Sequence, residues 1–372
     1  MAEEKTREQQ IAFKVLKLEN ATIMSALCET DRTGQIAKKV INEEPTNEKR
    51  IGKIMMIIEA CLSTYPEAIE CNFSWIHNFL SISNDISVQY FFKFCLDRKN
   101  RQILSIHEFC DSIKFFKHVI SYLNERRTEN TSISFLIFVL NELIKDNKII
   151  SPNDLKMITD SVQIYKDNED CSIITEKFNI YQTLLKFTKI IDLSFLNEEA
   201  ILEIEKIADE IKECHVSAIS FLAKLIRQYP DLCQEVSIEP VLNILAKCFK
   251  EHQNQTFALM AIKELVTEMV KIPCCRESMF EIFVPVVLDI LEKSENRVIL
   301  AFAFEICSTI IRLIELYPDF GPEANANNFL NSCRAQVKKH NILLYREYGY
   351  KKPVIHHSYM AETDPISSPR AD

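Results

Sequence analysis

The stretches LAKLIRQYPDL (Leu222–Leu232) and TIIRLIELYPDF (Thr309–Phe320) each end an apolar run with Tyr-Pro-Asp. Their prolines, Pro230 and Pro318, lie 88 residues apart, and a related stretch between them, ELVTEMVKIPCC, carries Pro273. The successive separations of these three prolines are 43 and 45 residues. Such a spacing indicates a repeated structural unit rather than an isolated loop motif.

A fourth copy of the pattern, KIMMIIEACLSTYPEAIEC, carries Pro66. In all four copies apolar residues precede the proline by twelve, eight, four and one positions; before Pro230 they are Ala218, Leu222, Ile226 and Tyr229. Steps of four and three residues lie on one face of an α-helix. Proline lacks an N–H and disfavours the helical conformation in the residue before it. Each copy therefore predicts an amphipathic helix that ends at its proline.

Polar turns, most of them containing asparagine, precede these helices. The turns begin near residues 46, 84, 129, 168, 213, 254 and 295, about every 41 residues, and the turn near 213, KECHVS, lacks asparagine. Asn, Asp, Ser and Thr side chains accept hydrogen bonds from the free N–H groups at the start of a helix. A second amphipathic helix precedes most turns, for example IEPVLNILAKCFKE. The predicted unit is helix, polar turn, helix and stop.

The segment FVPVVLDILEKSENRVILAFAFEICSTIIRLIELYPD resembles a unit of the HEAT/armadillo superfamily, and the resemblance extends over about residues 32–320. Two or three helices repeated every ~40–47 residues are characteristic of that superfamily. The resemblance implies an all-α fold, a right-handed α-solenoid of about seven HEAT/armadillo-like helix pairs, with the proline-ended helices on its concave side. It also implies a non-catalytic scaffold or adaptor that binds another protein along the concave groove. A globular helical bundle with a chance period is the alternative.

Armadillo repeats of the nuclear import adaptor kind use glycine between their first two helices and paired Trp and Asn to hold basic peptides. This chain has four glycines, one tryptophan, Trp75, and no aligned asparagine in the proline-ended helices. That peptide site is therefore not carried over, and two-helix HEAT-like packing fits the glycine content better.

These patterns divide the chain into four parts. Residues 1–46 are predicted to form an N-terminal helical cap, 47–320 the repeat array and 321–352 a basic C-terminal capping helix. Residues 353–372 hold three prolines and no helical period, which predicts a disordered tail.

Composition narrows the classes of function. Of the 372 residues 47% are hydrophobic, and the net charge is −9, which argues against a sequence-specific nucleic-acid partner. The thirteen scattered cysteines favour a reducing compartment. We therefore expect a cytoplasmic location, with the nucleus as the alternative. The N-terminus lacks a signal-peptide core, and no apolar run reaches the ~20 residues of a transmembrane helix.

Few residues in the sequence are arranged as a catalytic, redox or metal site would require. His107, Cys110 and His118 share a helix face, but ~16 Å separates the two histidines along the axis, too far for one metal ion. The vicinal pair Cys274-Cys275 favours two reduced thiols in a turn over a redox or soft-metal site. No known catalytic motif is present, so we expect no enzyme, no catalytic residue, no cofactor and no metal. An all-helical enzyme built from dispersed residues stays as a lesser alternative.

Charge is unevenly distributed. NEEAILEIEKIADEIKE predicts an acidic outer helix whose buried stripe is Ile201, Ile204, Ile207, Ala208 and Ile211. The segment RAQVKKHNILLYREYGYKKP carries +5, and its predicted partner-binding cations are Arg334, Lys338, Lys339, Arg346, Lys351 and Lys352. This segment favours an alternative function, a nuclear-transport or membrane-trafficking adaptor that touches an anionic partner or membrane surface. A terminal capping helix with a polar outer face explains the same charges.

Overall fold

The structure is a computed structural model that describes residues 22–23, 26–27, 32–43, 47–64, 74–97, 115–125, 129–145, 150–190, 193–234, 238–317, 320, 329–336 and 338. Within these ranges the regular structure is entirely helical, which confirms the all-α prediction. The predicted tail, 353–372, and most of the predicted N-terminal cap lie outside them.

The α-helices are α1 Arg32–Glu43, α2 Glu48–Thr64, α3 Ile86–Leu96, α4 Phe115–Glu125, α5 Asn130–Ile144, α6 Pro152–Gln163, α7 Cys171–Leu184, α8 Leu193–Glu205, α9 Glu213–Gln228, α10 Glu239–Glu251, α11 Thr256–Met269, α12 Pro273–Ser278, α13 Val284–Lys293 and α14 Arg297–Leu316. Shorter elements are the 3-10 helices Ser74–Ile82, Leu185–Ile190 and Pro230–Gln234, and a π-helical turn, Met279–Phe283, that joins α12 to α13.

Several of the predicted turns cap the helix that follows them. The Asp85 carboxylate accepts hydrogen bonds from the first N–H groups of α3, Asp170 does so for α7, and Asn296 does so for α14. These bonds satisfy donors that have no partner inside the helix. The turn before α11 differs, because the side chain of Gln255 makes no capping hydrogen bond.

The predicted helix ends agree at two prolines and differ at a third. Helices α9 and α14 end at Gln228 and Leu316, two residues before Pro230 and Pro318. Helix α11 ends earlier, at Met269, and Pro273 is the first residue of α12. Proline is favoured at that position because the first N–H of a helix has no partner inside the helix. Pro66 and Pro318 themselves lie outside the described residues.

The helices pack in two rows. Row A consists of α2, α3, α5, α7, α9, α11 and α14, and each member packs against the next. Row B consists of α1, the 3-10 helix Ser74–Ile82, α4, α6, α8, α10 and α13; here α6 packs on the 3-10 helix Leu185–Ile190 that continues α7. Pairs such as α4 with α5, α8 with α9 and α13 with α14 join the two rows.

Hydrogen bonds between neighbouring members of a row follow the period predicted from the turns. The Thr183 hydroxyl donates to Asn141 Oδ1 at 2.7 Å, and the Lys263 ammonium donates to Glu305 at 2.8 Å; both pairs are 42 residues apart. The Tyr165 hydroxyl donates to the Leu123 carbonyl at 2.6 Å, again across 42 residues. The contacts between helices therefore repeat with the interval seen in the sequence.

One apolar core runs between the rows. Fully buried aromatic rings from neighbouring units meet in it: Phe178 lies 5.7 Å from Phe221, and Phe249 lies 5.4 Å from Phe283. Burial of such side chains is the main favourable term in the folding of each unit.

Residues 329–336 are helical and pack beyond α14. The buried Phe329 ring meets Phe280 edge to face at 5.7 Å, and Cys333 Sγ lies 3.2 Å from Cys307 Sγ.

Among the described helices none is both long and apolar enough to span a membrane.

Candidate functional site

The exposed side chains of row A, here called the row-A face, include several large apolar groups. Phe257 is 76% exposed and Tyr90 is 67% exposed, while Met260 and Val298 are about two-fifths exposed. Single exposed apolar residues, such as Leu202 on row B, are common on protein surfaces. Adjacent ones are more informative, because contiguous apolar patches mark interaction sites.

Two hydrogen bonds fix the register of α11 against α14. Asn296 donates to Asn254 Oδ1 at 3.2 Å, and Lys263 donates to Glu305 at 2.8 Å. Paired positions in this register are 42 residues apart, so Met260 aligns with Phe302, and Phe257 aligns with the buried Ile299, whose neighbour Val298 is exposed. We call Phe257, Met260, Val298 and Phe302 the Phe257 patch. The Lys263 ammonium lies 5.9 Å from the centre of the Phe302 ring, so the patch has a cationic edge.

A groove of about 280 Å³ opens on the row-A face where α3, α5 and α7 meet. We call it the row-A groove. Phe135 and Phe138 supply its apolar surface, and the Lys93 ammonium lies 5.7 Å from the Phe138 ring. Its polar surface comes from Gln89, Ser134, Ser172, Thr175, Glu176 and Glu213. The groove therefore combines a small apolar surface with a larger set of polar and charged side chains.

Two polar side chains in the row-A groove are buried or half-buried without hydrogen bonds or charges from the protein that fully replace water. The Thr175 side chain is 8% exposed, and its Oγ1 has no hydrogen-bond partner. Burial raises the pKa of the Glu176 carboxyl, although the Asn179 amide partly offsets this shift. A buried hydroxyl without a partner costs about 1–3 kcal/mol, so a bound group that hydrogen-bonds to it recovers free energy.

A second cluster lies between α7, α8 and the start of α9. Donor atoms of Glu203, Cys214 and His215 all lie within 4.8 Å of one another, and the three residues are buried. The Cys214 N–H donates to Cys171 Sγ at 3.2 Å. We call these four residues the four-residue cluster. A cavity of about 440 Å³ adjoins all of them.

In the four-residue cluster, a hydrogen bond fixes the tautomer of His215. His215 Nδ1 accepts a hydrogen bond from the Lys212 N–H at 3.1 Å, so the ring proton resides on Nε2. Nε2 lies 3.8 Å from Glu203 Oε1. The imidazole therefore binds back to the N–H of the residue before α9, whereas the Asp or Asn before α3, α7 and α14 accepts from N–H groups inside the first turn.

The four-residue cluster does not form an activated nucleophile. Burial raises the pKa of the Cys214 thiol to about 12, and burial lowers the pKa of His215. Catalytic cysteines need a lowered pKa to be thiolates at neutral pH. Cysteine and histidine are next to each other here without the electrostatics of a nucleophile and its base.

The other candidate residues are dispersed. His118 stacks on His77 with 4.4 Å between ring centres, and burial lowers its pKa; His107 and Cys110 lie outside the described residues. Cys274 is exposed and Cys275 is buried, with 3.9 Å between their sulfurs. A hydrogen bond with Cys233 raises the pKa of Cys275.

The basic C-terminal segment is described only at its start. Arg334 forms an ion pair with Glu315 at 3.0 Å, in which both side chains are more than half exposed, and Lys338 is exposed. The other four predicted cations lie outside the described residues: Lys339, Arg346, Lys351 and Lys352.

The prediction for the acidic segment was partly wrong. Helix α8 ends at Glu205, and Ala208 of the predicted buried stripe is exposed, whereas the four isoleucines are buried. Glu203 is 6% exposed, and Glu199 faces the buried Lys177. Inward-facing acids occur here because cations on other helices and turns compensate them.

The chain matches no protein-family model and no curated protein.

Proposed function

We propose that the protein is a non-catalytic interaction scaffold that binds another protein along the row-A face. In this proposal the two rows form a right-handed α-solenoid of about seven HEAT/armadillo-like helix pairs. Row-by-row packing with a repeat near 41 residues supports it, because stacked repeats present extended surfaces of this kind.

The exposure of Phe257 is the observation that carries the proposal. Covering a phenylalanine is worth about 1.5–3 kcal/mol, and here the ring stands 76% exposed, while Met260 of the same helix and Val298 of the next are about two-fifths exposed. Aromatic anchors of this kind dominate the free energy of protein interfaces. The Phe257 patch would bind an apolar anchor of the partner.

The row-A groove would bind polar groups of the partner at a second site, away from the Phe257 patch. Three helix-to-helix steps separate α5 from α11, and packed helices lie about 8–10 Å apart, so the groove and the patch are roughly 30 Å apart. A partner segment that reaches both sites must be extended, since about ten residues of extended chain cover that distance. The Lys93 ammonium would bind a polar group of the same segment.

Site-specific photo-crosslinking in cells tests the proposal. A photoreactive residue at position 257 should capture one recurrent partner, and the same residue at Leu202 on row B, 58% exposed, should not. The purified partner should then bind the wild-type protein and lose at least tenfold in affinity to Phe257→Ala. Identical adducts at both positions, or an unchanged affinity, would contradict the proposal.

A further inference from the structure

We propose that the four-residue cluster is a zinc site, with the Cys171 and Cys214 thiolates, the His215 imidazole and the Glu203 carboxylate as ligands. This inference is independent of the proposed scaffold function. It adds an inorganic ligand to a chain whose sequence motifs predict none.

The donor set and its spacing fit a zinc ion. Zinc takes four ligands from cysteine, histidine and carboxylate at about 2.0–2.3 Å, so neighbouring ligand atoms around it lie about 3.3–3.8 Å apart. His215 Nε2 and Glu203 Oε1 are already 3.8 Å apart, and three of the donors lie within 4.8 Å of one another. Cys171 Sγ lies outside that group of three, so the Cys171 side chain must move toward it to complete the tetrahedron. Two thiolates also disfavour magnesium and calcium, which prefer oxygen ligands.

The local electrostatics favour a cation. Four acidic residues line the adjoining cavity and only two lysines do: Glu169, Glu203, Asp209, Glu210, Lys206 and Lys212. Lys206 pairs with Glu203 Oε2 at 2.9 Å, which leaves Oε1 facing the imidazole.

The start of α9 is one of the positions where the repeat departs from its pattern. Helices α3, α7 and α14 begin at an Asp or Asn whose side chain caps them. At α9 the residue before the helix is Lys212, Glu-Cys-His follow it, and His215 accepts a hydrogen bond from the Lys212 N–H. Helices α5 and α11 also begin without a capping side chain, and among these three helix starts the one at α9 places two metal-ligand types next to each other.

Zinc binding requires a rearrangement of protons that the structure defines. Both thiols lose their protons to solvent as the two Zn–S bonds form. His215 must bind the ion through Nε2, so its proton moves to Nδ1 by exchange with water. Nδ1 can then no longer accept from Lys212, and the Lys212 N–H loses its partner. Occupancy of the site is therefore coupled to the backbone at Lys212, immediately before α9.

Metal titration of the full-length protein tests the site. The protein is stripped with a chelator, kept reduced, and titrated with Zn²⁺ against a chromophoric competitor and separately with Co²⁺. We expect one equivalent of tight binding and the near-ultraviolet absorption of thiolate-to-cobalt charge transfer. Cys214→Ser and His215→Gln should each weaken binding at least tenfold. Cys248→Ser, a buried cysteine of α10 outside the cluster, should leave binding unchanged.

Hydrogen exchange provides a second readout that does not depend on the variants. Zinc should accelerate exchange of the Lys212 amide relative to the amide of Asp170 at the start of α7. The absence of stoichiometric binding by the folded wild-type protein would overturn the proposal. So would binding that survives Cys214→Ser but is lost in Cys275→Ser, since the metal would then reside at the Cys233 and Cys275 pair.

Discussion

Replacing Glu199 with alanine is expected to destabilise the fold by about 3–5 kcal/mol. Glu199 lies on α8, where its carboxylate pairs with the Lys177 ammonium of α7 and accepts a hydrogen bond from the Tyr181 hydroxyl at 3.0 Å. The Lys177 side chain is 3% exposed. The carboxylate therefore compensates a charge that water reaches poorly.

The magnitude follows from what the alanine leaves behind. Lys177 would retain a long contact to the Lys166 carbonyl at 3.4 Å and its position 5.6 Å from the Phe178 ring. Removing one member of a buried ion pair leaves the other charge desolvated, and this accounts for about 3–5 kcal/mol. Tyr181 also loses its acceptor, but the two effects share one carboxylate and do not add.

Urea unfolding followed by circular dichroism measures the loss. Glu315→Ala is the matched control, because Glu315 pairs with Arg334 at 3.0 Å with both side chains more than half exposed, and such pairs are worth under about 1 kcal/mol. The double variant Lys177→Met, Glu199→Leu should recover most of the loss, since an apolar pair needs no counter-charge. A Glu199→Ala loss no larger than that of the control would refute this reasoning.

Three further predictions concern the turns, the groove and the patch. Asn296→Ala should cost about 1–2 kcal/mol in the same urea assay, because it removes the cap of α14 and the bond to Asn254, whereas the exposed Asn243→Ala should cost little. Burial raises the pKa of Glu176 above its ordinary value of 4.5, so the folded state binds this proton more tightly than the unfolded chain. Glu176→Gln should therefore raise the urea midpoint at pH 7, and this gain should vanish as the pH falls through the raised pKa toward 4.5. Phe257→Ala should change stability by less than about 0.5 kcal/mol, because the ring is 76% exposed; a larger loss by thermal or urea unfolding would show that the ring is packed.

The helical class and the period could be predicted from the sequence because both are local properties. Apolar steps of three and four residues define a helix face, and polar turns recur wherever a helix must begin. The same interval reappears in hydrogen bonds such as Thr183 to Asn141, 42 residues apart. The sequence predicted the ends of the helices less well than their existence. Helix α11 ends at Met269, and the Ile272 N–H bonds back to the Met269 carbonyl in a separate turn.

The contacts of individual charged residues could not be predicted in this way. Glu199 reads as a solvated acid in its own segment, and its partner Lys177 is 22 residues away in another helix. The four-residue cluster draws Cys171, Glu203, Cys214 and His215 from three elements, so no spacing rule detects it. The signal that was available is the turn KECHVS, where the repeated asparagine is missing and a cysteine and a histidine stand side by side.

The row-by-row packing also sets the timing of assembly during synthesis. Helices that share an extensive interface belong to the same unit or to neighbouring units, and their contacts repeat near 41 residues. A ribosome adds about 5–20 residues per second, so the partner of each helix emerges within about 2–8 s. Early units can complete their packing while late units are still being translated, and a chain cut short within α14 would leave the interfaces among α5, α7 and α9 intact.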